Sequence, residues 1–285
     1  MTRHAGSRFL LCACVAVMGM AWGARAPRAA TPCVPIANLS TPGTLTMATN
    51  PSLPPLQYVS VDGKLHGMRI ELGHEIASRL CLKAHIIPSS FAALILGLME
   101  QRWDMIDTGM FYTHERSQMM ELIPYEQQAI SITLRANMDK PVHAIEDLAG
   151  MSVGVEMGGF EEQRARQIDR TLHARGLAGL QIHAFDNFAI AFVALRAGQV
   201  DAVVSIDVVA HRFADDATLR IGLMHLFPTP VALAVRDRQL ALRIAQVMND
   251  MREDGSLNRL FQAHDVIALP GPITVYGPET GDANP

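Results

Sequence analysis

The residues best arranged for chemistry lie in one stretch, Trp103-Asp104-Met105-Ile106-Asp107-Thr108-Gly109-Met110-Phe111-Tyr112-Thr113-His114-Glu115-Arg116. Trp103 to Asp107 reads as a short strand, Thr108-Gly109 as part of a turn, and Thr113 as the N-cap of a helix. Arg116, three residues on, can fold its guanidinium back over the turn. A strand end, free backbone N–H groups and a fixed cation make a receptor for a carboxylate. The bland alternative for Arg116 is a surface ion pair with Glu115 or Glu121. Other chemistry is hard to find. No Gly-x-Ser-x-Gly, phosphate loop, dinucleotide fingerprint or His-Glu-x-x-His occurs, so no cofactor and no metal is expected. His66 and His74 read as surface residues rather than a metal pair. A general acid or base would have to be Glu156 or Asp207, and neither has a partner that the sequence identifies.

Strands and helices must place that stretch. Before it come a strand over Thr44 to Asn50, a proline-rich loop to Leu56, and a hairpin turning at Asp62-Gly63. Met68 to Cys81 carries Ile70, Leu72, Ile76, Ala77 and Leu80 at helical spacing. A strand over Lys83 to Pro88 and a helix over Phe91 to Arg102 follow. Ile130 to Leu134 is an extended crossing into a second unit. That unit alternates again: strand Met151 to Glu156, turn Gly158-Gly159, helix Phe160 to Ala174, strand Gln181 to Phe185, helix Asn187 to Ala197, strand Val200 to Ile206 and helix Asp207 to Phe213. The chain crosses back near Pro228-Thr229-Pro230. A strand over Val231 to Val235 and helices over Arg238 to Glu253 and Ser256 to His264 complete it, with Gly271 to Pro285 expected as a loose tail. Strand–helix alternation predicts an α/β fold with parallel pairing.

A net charge of −4 over 285 residues, with no run of like charge, argues against a nucleic-acid partner. Met1 to about Ala30 reads as a signal peptide: Arg3, His4 and Arg8 precede an apolar run from Phe9 to Trp22 that is too short to span a bilayer. Cleavage after Gly23 or after Ala26 leaves a periplasmic protein with two cysteines, Cys33 and Cys81. Two thiols in an oxidising compartment are expected to pair, which would stabilise by roughly 4 kcal/mol in the chain-entropy model; the alternative is two free buried thiols.

The stretch Asp104, Thr108-Gly109-Met110, Thr113, Glu115-Arg116 also resembles the signature of bacterial extracellular solute-binding proteins of family 3. Asp62-Gly63-Lys64-Leu65-His66-Gly67, Glu146-Asp147-Leu148-Ala149-Gly150, Ala197-Gly198-Gln199-Val200-Asp201-Ala202-Val203-Val204 and Asp254-Gly255-Ser256-Leu257 are similar to further family runs, in order, from about Leu45 to His264. The resemblance implies a periplasmic-binding-protein type II-like fold, two α/β lobes joined by a two-segment hinge. Lobe 1 would be residues 31–128 and 229–270, and lobe 2 residues 129–228. It implies a monomer that captures a polar amino acid between the lobes and delivers it to an ABC transporter permease. Two other implied possibilities are an accessory or sensory partner of a periplasmic dehydrogenase or receptor, and a cyclohexadienyl-dehydratase-like enzyme.

By the same resemblance, Arg116 grips the ligand α-carboxylate, Thr108 and Gly109 offer backbone groups, Phe91 walls the ligand side chain, and Asn50 and Leu53 meet its variable end. Three departures stand out. Phe111 replaces a usual hydroxyl. The second-lobe turn reads Gly158-Gly159-Phe160, whose N–H groups can still cap an anion. The acid for the α-ammonium aligns with Ile206, between Ser205 and Asp207; either Asp207 serves or the ligand has no α-amine.

Overall fold

Two long strands, β7 (Glu121–Arg135) and β11 (Leu219–Val235), run antiparallel along their whole length, from Leu219 opposite Arg135 to Val235 opposite Glu121. They carry the chain from one lobe into the other and back. The computed structural model describes residues 1–2, 35–214, 216–281 and 285. The predicted signal segment therefore lies outside the described residues except for its first two, and the lobes belong to the unit Cys33–Pro285.

On one side of the long pair, β1 (Thr44–Thr49) is followed by a small antiparallel sheet of β2 (Ser52–Leu53), β3 (Gln57–Val59) and β4 (Leu65–His66), and lies between β5 (Lys83–Pro88) and β6 (Met105–Phe111), parallel to both. β6 then pairs antiparallel with the Val231–Val235 end of β11. On the other side, β10 (Ala202–Ile206) pairs antiparallel with Ile130–Leu134 of β7, and parallel with β8 (Ser152–Glu156), which is parallel to β9 (Gln181–Phe185). The result is one eight-stranded sheet in the order β5-β1-β6-β11-β7-β10-β8-β9. It is mixed rather than parallel, because the two crossing strands run against their neighbours. Between Leu223 and Thr229 the β7–β11 register slips twice, and His225 (φ 56°) and Phe227 (φ 50°) adopt left-handed backbone. The ladder is irregular where the lobes join.

Helices close both faces. α1 (Met68–Arg79) buries Ile70, Leu72, Ile76 and Ala77, the periodic set read from sequence. α2 (Phe91–Met99) is shorter than expected, with Glu100 as its C-cap. Its Gly97 is required: a β-carbon there would run into the Trp103 indole, whose Nε1 donates to Leu94 O at 3.1 Å. In the second lobe, α4 (Phe160–Ala174), α5 (Phe188–Arg196) and α6 (Asp207–Phe213) follow β8, β9 and β10. α7 (Arg238–Glu253) is capped by Asp237, whose carboxylate accepts from Leu240 N at 2.8 Å. It turns Leu240, Ile244, Val247, Met248 and Met251 inward, and α8 (Ser256–Gln262) completes the first lobe.

Two expectations are corrected. The strand expected over Trp103 to Asp107 runs on to Phe111, because Gly109, at φ +76°, sits in an irregularity of the β6–β11 ladder rather than in a turn. The segment from Gly271 is not loose. Ile273 and Val275 are buried, Leu122 and Tyr276 exchange both backbone hydrogen bonds (2.7 and 2.8 Å), and Asn249 bonds the backbone of Ile273 twice. Upstream, Gln127 N donates to Ile267 O and Leu269 N to Tyr125 O. The segment covers the outer edge of the first-lobe half of β7, an edge that would otherwise offer unpaired backbone groups. Cys81 is disulfide-bonded, and its expected partner Cys33 lies outside the described residues.

Candidate ligand-binding site

Thr113 caps α3 (His114–Ser117): its Oγ1 accepts from Arg116 N at 3.1 Å. The cap holds Arg116 over the end of β6, as the spacing predicts. The side chain is not on the surface. Arg116 is 3% exposed, and its Nη1 donates to Phe111 O at 2.8 Å. Nη2 donates to Gly158 O of the second lobe at 3.4 Å, and the guanidinium lies 5.8 Å from the Phe91 ring centre. Burial lowers its pKa to about 10, opposed by the charges of Glu161 and Glu115, so the group stays cationic at neutral pH.

The second lobe meets it with the β8–α4 junction. Phe160 stacks on Phe111, ring centres 4.3 Å apart. The two aromatic departures from the family pattern thus face one another across the cleft. On the far side of Phe160 lies the Arg164 guanidinium, 4.4 Å from that ring and 5.3 Å from Phe227. Asn50 Nδ2 donates to Glu156 Oε1 at 2.8 Å, a second hydrogen bond between lobes.

Glu156 (2% exposed) and Glu161 (3%) are the buried acids of this junction. Desolvation, then repulsion from Glu161, raises Glu156 to about 8; desolvation raises Glu161 to about 7 against the pull of its own amide and of Arg116. The glycine turn does not offer free N–H groups as expected. Gly158 N donates to Glu162 Oε2 at 2.9 Å and Gly159 N to Glu156 O at 3.1 Å. The chain's own first-turn acids fill the positive end of α4.

Thr108 and Gly109 are committed inside the first lobe. Thr108 Oγ1 accepts from Asn50 N at 2.7 Å, and its carbonyl accepts from Gln57 Nε2 at 2.7 Å. Gly109 lies against the buried guanidinium of Arg69, which a β-carbon would approach to 2.7 Å. Arg69 bonds Tyr125 Oη (2.8 Å), Gln57 Oε1 (2.6 Å) and Glu126. Beside this network, burial raises Asp107 to about 8, with Arg69 opposing the shift.

Three predicted residues stand apart from Arg116. Leu53 is in the apolar core. Ser205 is buried in the ladder opposite Ser131. Asp207 does not cap a helix end: Oδ1 accepts from Ser131 Oγ and Oδ2 pairs with His225 Nδ1 at 2.7 Å. It faces a separate groove of about 540 Å³ beside the hinge, lined also by Leu56, Val208, His211 and Pro228. The structure therefore brings together Arg116, Phe91, Phe111, Asn50, Gly158, Gly159 and Phe160, and leaves Leu53, Ser205 and Asp207 elsewhere. Sequence reasoning missed Glu161, although a Glu just inside a helix that opens on Gly-Gly is a signal for an occupied N-terminus. Among the described residues no group of His, Cys, Asp and Glu could hold a metal ion.

Residues 45–264 match the family model for bacterial extracellular solute-binding proteins, family 3. The chain belongs to this family. Among its relatives, the L-cystine-binding protein TcyJ of Escherichia coli (strain K12) is 23% identical over 224 residues, covering 76% of this chain and 81% of that one. An ancestral arginine-binding protein solved with glutamine superposes with a TM-score of 0.70 at 30% identity, over 78% of this chain and 98% of the other. The ancestral amino acid-binding protein AncCDT-1, described as a precursor of cyclohexadienyl dehydratase, gives 0.69 at 26% identity, over 78% and 95%. The junction of Arg116 with the β8–α4 turn lies between the two lobes.

Proposed function

We propose that this protein, after loss of residues 1–30, is a periplasmic monomer that captures a polar amino acid between its lobes and delivers it to an ABC transporter permease. Arg116 carries the reading. It is a cationic, planar donor fixed by the Thr113 cap, buried between the lobes and placed where one carboxylate could bridge both. Phe91 and Phe111 supply the apolar wall, Asn50 ties the first loop to the second lobe, and the ligand acts by stabilising the closed form. Titration calorimetry of the processed protein against the twenty amino acids and cystine tests it. One or a few should bind saturably without turnover, and Arg116→Ala should abolish the heat. At 100 times Kd the ligand should stabilise by about 2.7 kcal/mol.

A second reading has a specific observation behind it. Polar groups that a ligand would use already have partners within the chain: two of the Arg116 donors on carbonyls, Thr108 O on Gln57, Asp207 on Ser131 and His225. A chain whose cleft closes on itself suits an accessory or sensory role. Silence across the panel, with cooperative melting intact, would favour it. Turnover of a cyclic amino-acid precursor would instead point to a dehydratase.

A further inference from the structure

We propose that the cleft holds a ligand ammonium on the paired carboxylates of Glu156 and Glu161, from β8 and the first turn of α4, and not on Asp207. The assignment rests on reading the interlobe junction as the ligand site.

Position is the first argument. Glu156 ends β8 and reaches Asn50 of the first lobe, and Glu161 lies two residues beyond the Gly158-Gly159 turn that meets Arg116. Glu161 Oε2 sits against Gly159, 2.6 Å from where a β-carbon would be, so a larger residue there would displace the carboxylate. Asp207, by contrast, opens on the groove beside the hinge and spends both oxygens on Ser131 and His225.

Satisfaction is the second. Among the described residues Glu161 makes no hydrogen bond or ion pair with another side chain, although it is only 3% exposed. Its hydrogen bond is to its own amide, and a carboxylate buried this deeply is rarely left with no donor from another residue. Among the described residues the one cation that acts on Glu161 is Arg116, which gives hydrogen bonds to two carbonyls.

Charge is the third. Glu161 faces the Arg116 guanidinium, and its repulsion adds to desolvation in raising Glu156 to about 8. A primary ammonium supplies the missing positive charge and three donors. The other charges around the pair are Glu115, beside Arg116, and Glu162, which is spent on Gly158 N and Arg166. With the carboxylate of an amino acid on Arg116, its α-ammonium falls on the acid pair.

The test uses the processed protein with three sets of probes: the twenty amino acids, small primary amines without a carboxylate (ethylammonium and 4-aminobutanamide), and carboxylates without an amine (propionate and 4-carbamoylbutanoate). Kd is measured for wild type, Glu156→Gln, Glu161→Gln and Asp207→Asn, with melting curves to show that each folds. Amino-acid and amine affinity should fall about 30-fold or more in Glu161→Gln and Glu156→Gln, and stay within about 3-fold in Asp207→Asn. Loss confined to Asp207→Asn, or retention in both Gln variants, overturns the proposal. Amines binding where amino acids do not keeps the acid pair and removes the amino-acid reading. Carboxylates binding where amines and amino acids do not overturns the pair alone. Silence of every probe overturns both.

Discussion

At the scale of single residues, the placement of Arg116 over the end of β6 was legible because a cap and a cation three residues apart have one local geometry, and Thr113 with Arg116 adopts it. The partners of Arg116 were not, since they arrive from the other lobe. The acids are the clearest case: Glu156, Glu161 and Asp107 are raised to about 8, 7 and 8 by burial, and burial cannot be read from their sequence neighbours. They make stability pH-dependent. Each keeps its proton in the folded chain at pH values where the unfolded chain, near 4.5 for glutamate and 3.8 for aspartate, has lost it. The folded state therefore binds more protons between about pH 4 and 8, and stability falls as pH rises through that window. Melting temperature measured from pH 5 to 8.5 should decline. Glu161→Gln, Glu156→Gln or Asp107→Asn should each flatten the decline, with a gain on the order of 2 kcal/mol at the alkaline end.

At the scale of elements, nearly every strand and helix was legible from periodicity. The failures have particular causes. β6 was cut short because Gly109 looks like a turn residue, whereas it carries a left-handed kink inside a paired strand and lets Arg69 approach. Gly109→Ala should cost about 2 kcal/mol or more, from the φ +76° backbone alone and then from the clash with Arg69. Chemical denaturation would read the loss. The C-terminal segment was misjudged because Pro270, Gly271 and Pro272 resemble the start of a tail, and nothing local announces that Ile273 to Tyr276 will cover β7. A chain ending at Leu269 should melt earlier and associate at high concentration through the bared edge of β7, which light scattering would detect. An unchanged melt would mean that the edge needs no cover.

At the scale of the whole molecule, two α/β units and two crossings follow from the order of elements, and the family match over residues 45–264 supplies the hinged arrangement. How the lobes meet was out of reach, because each interlobe contact pairs residues far apart in the chain: Asn50 with Glu156, Arg116 with Gly158, Phe111 with Phe160. Replacing Phe160 with Ala should loosen the empty molecule as a body, seen as a larger radius of gyration in X-ray scattering at unchanged helix content. An identical radius would show that the ring pair does not hold the lobes. The same ring pair ties the shape of the molecule to its solvent. Parting Phe111 from Phe160 wets two aromatic faces, and the tendency of such faces to stay dry weakens on cooling and strengthens with sulfate. A chilled, dilute buffer should thus swing the jaws apart, and a warm, sulfate-rich one should shut them with nothing inside.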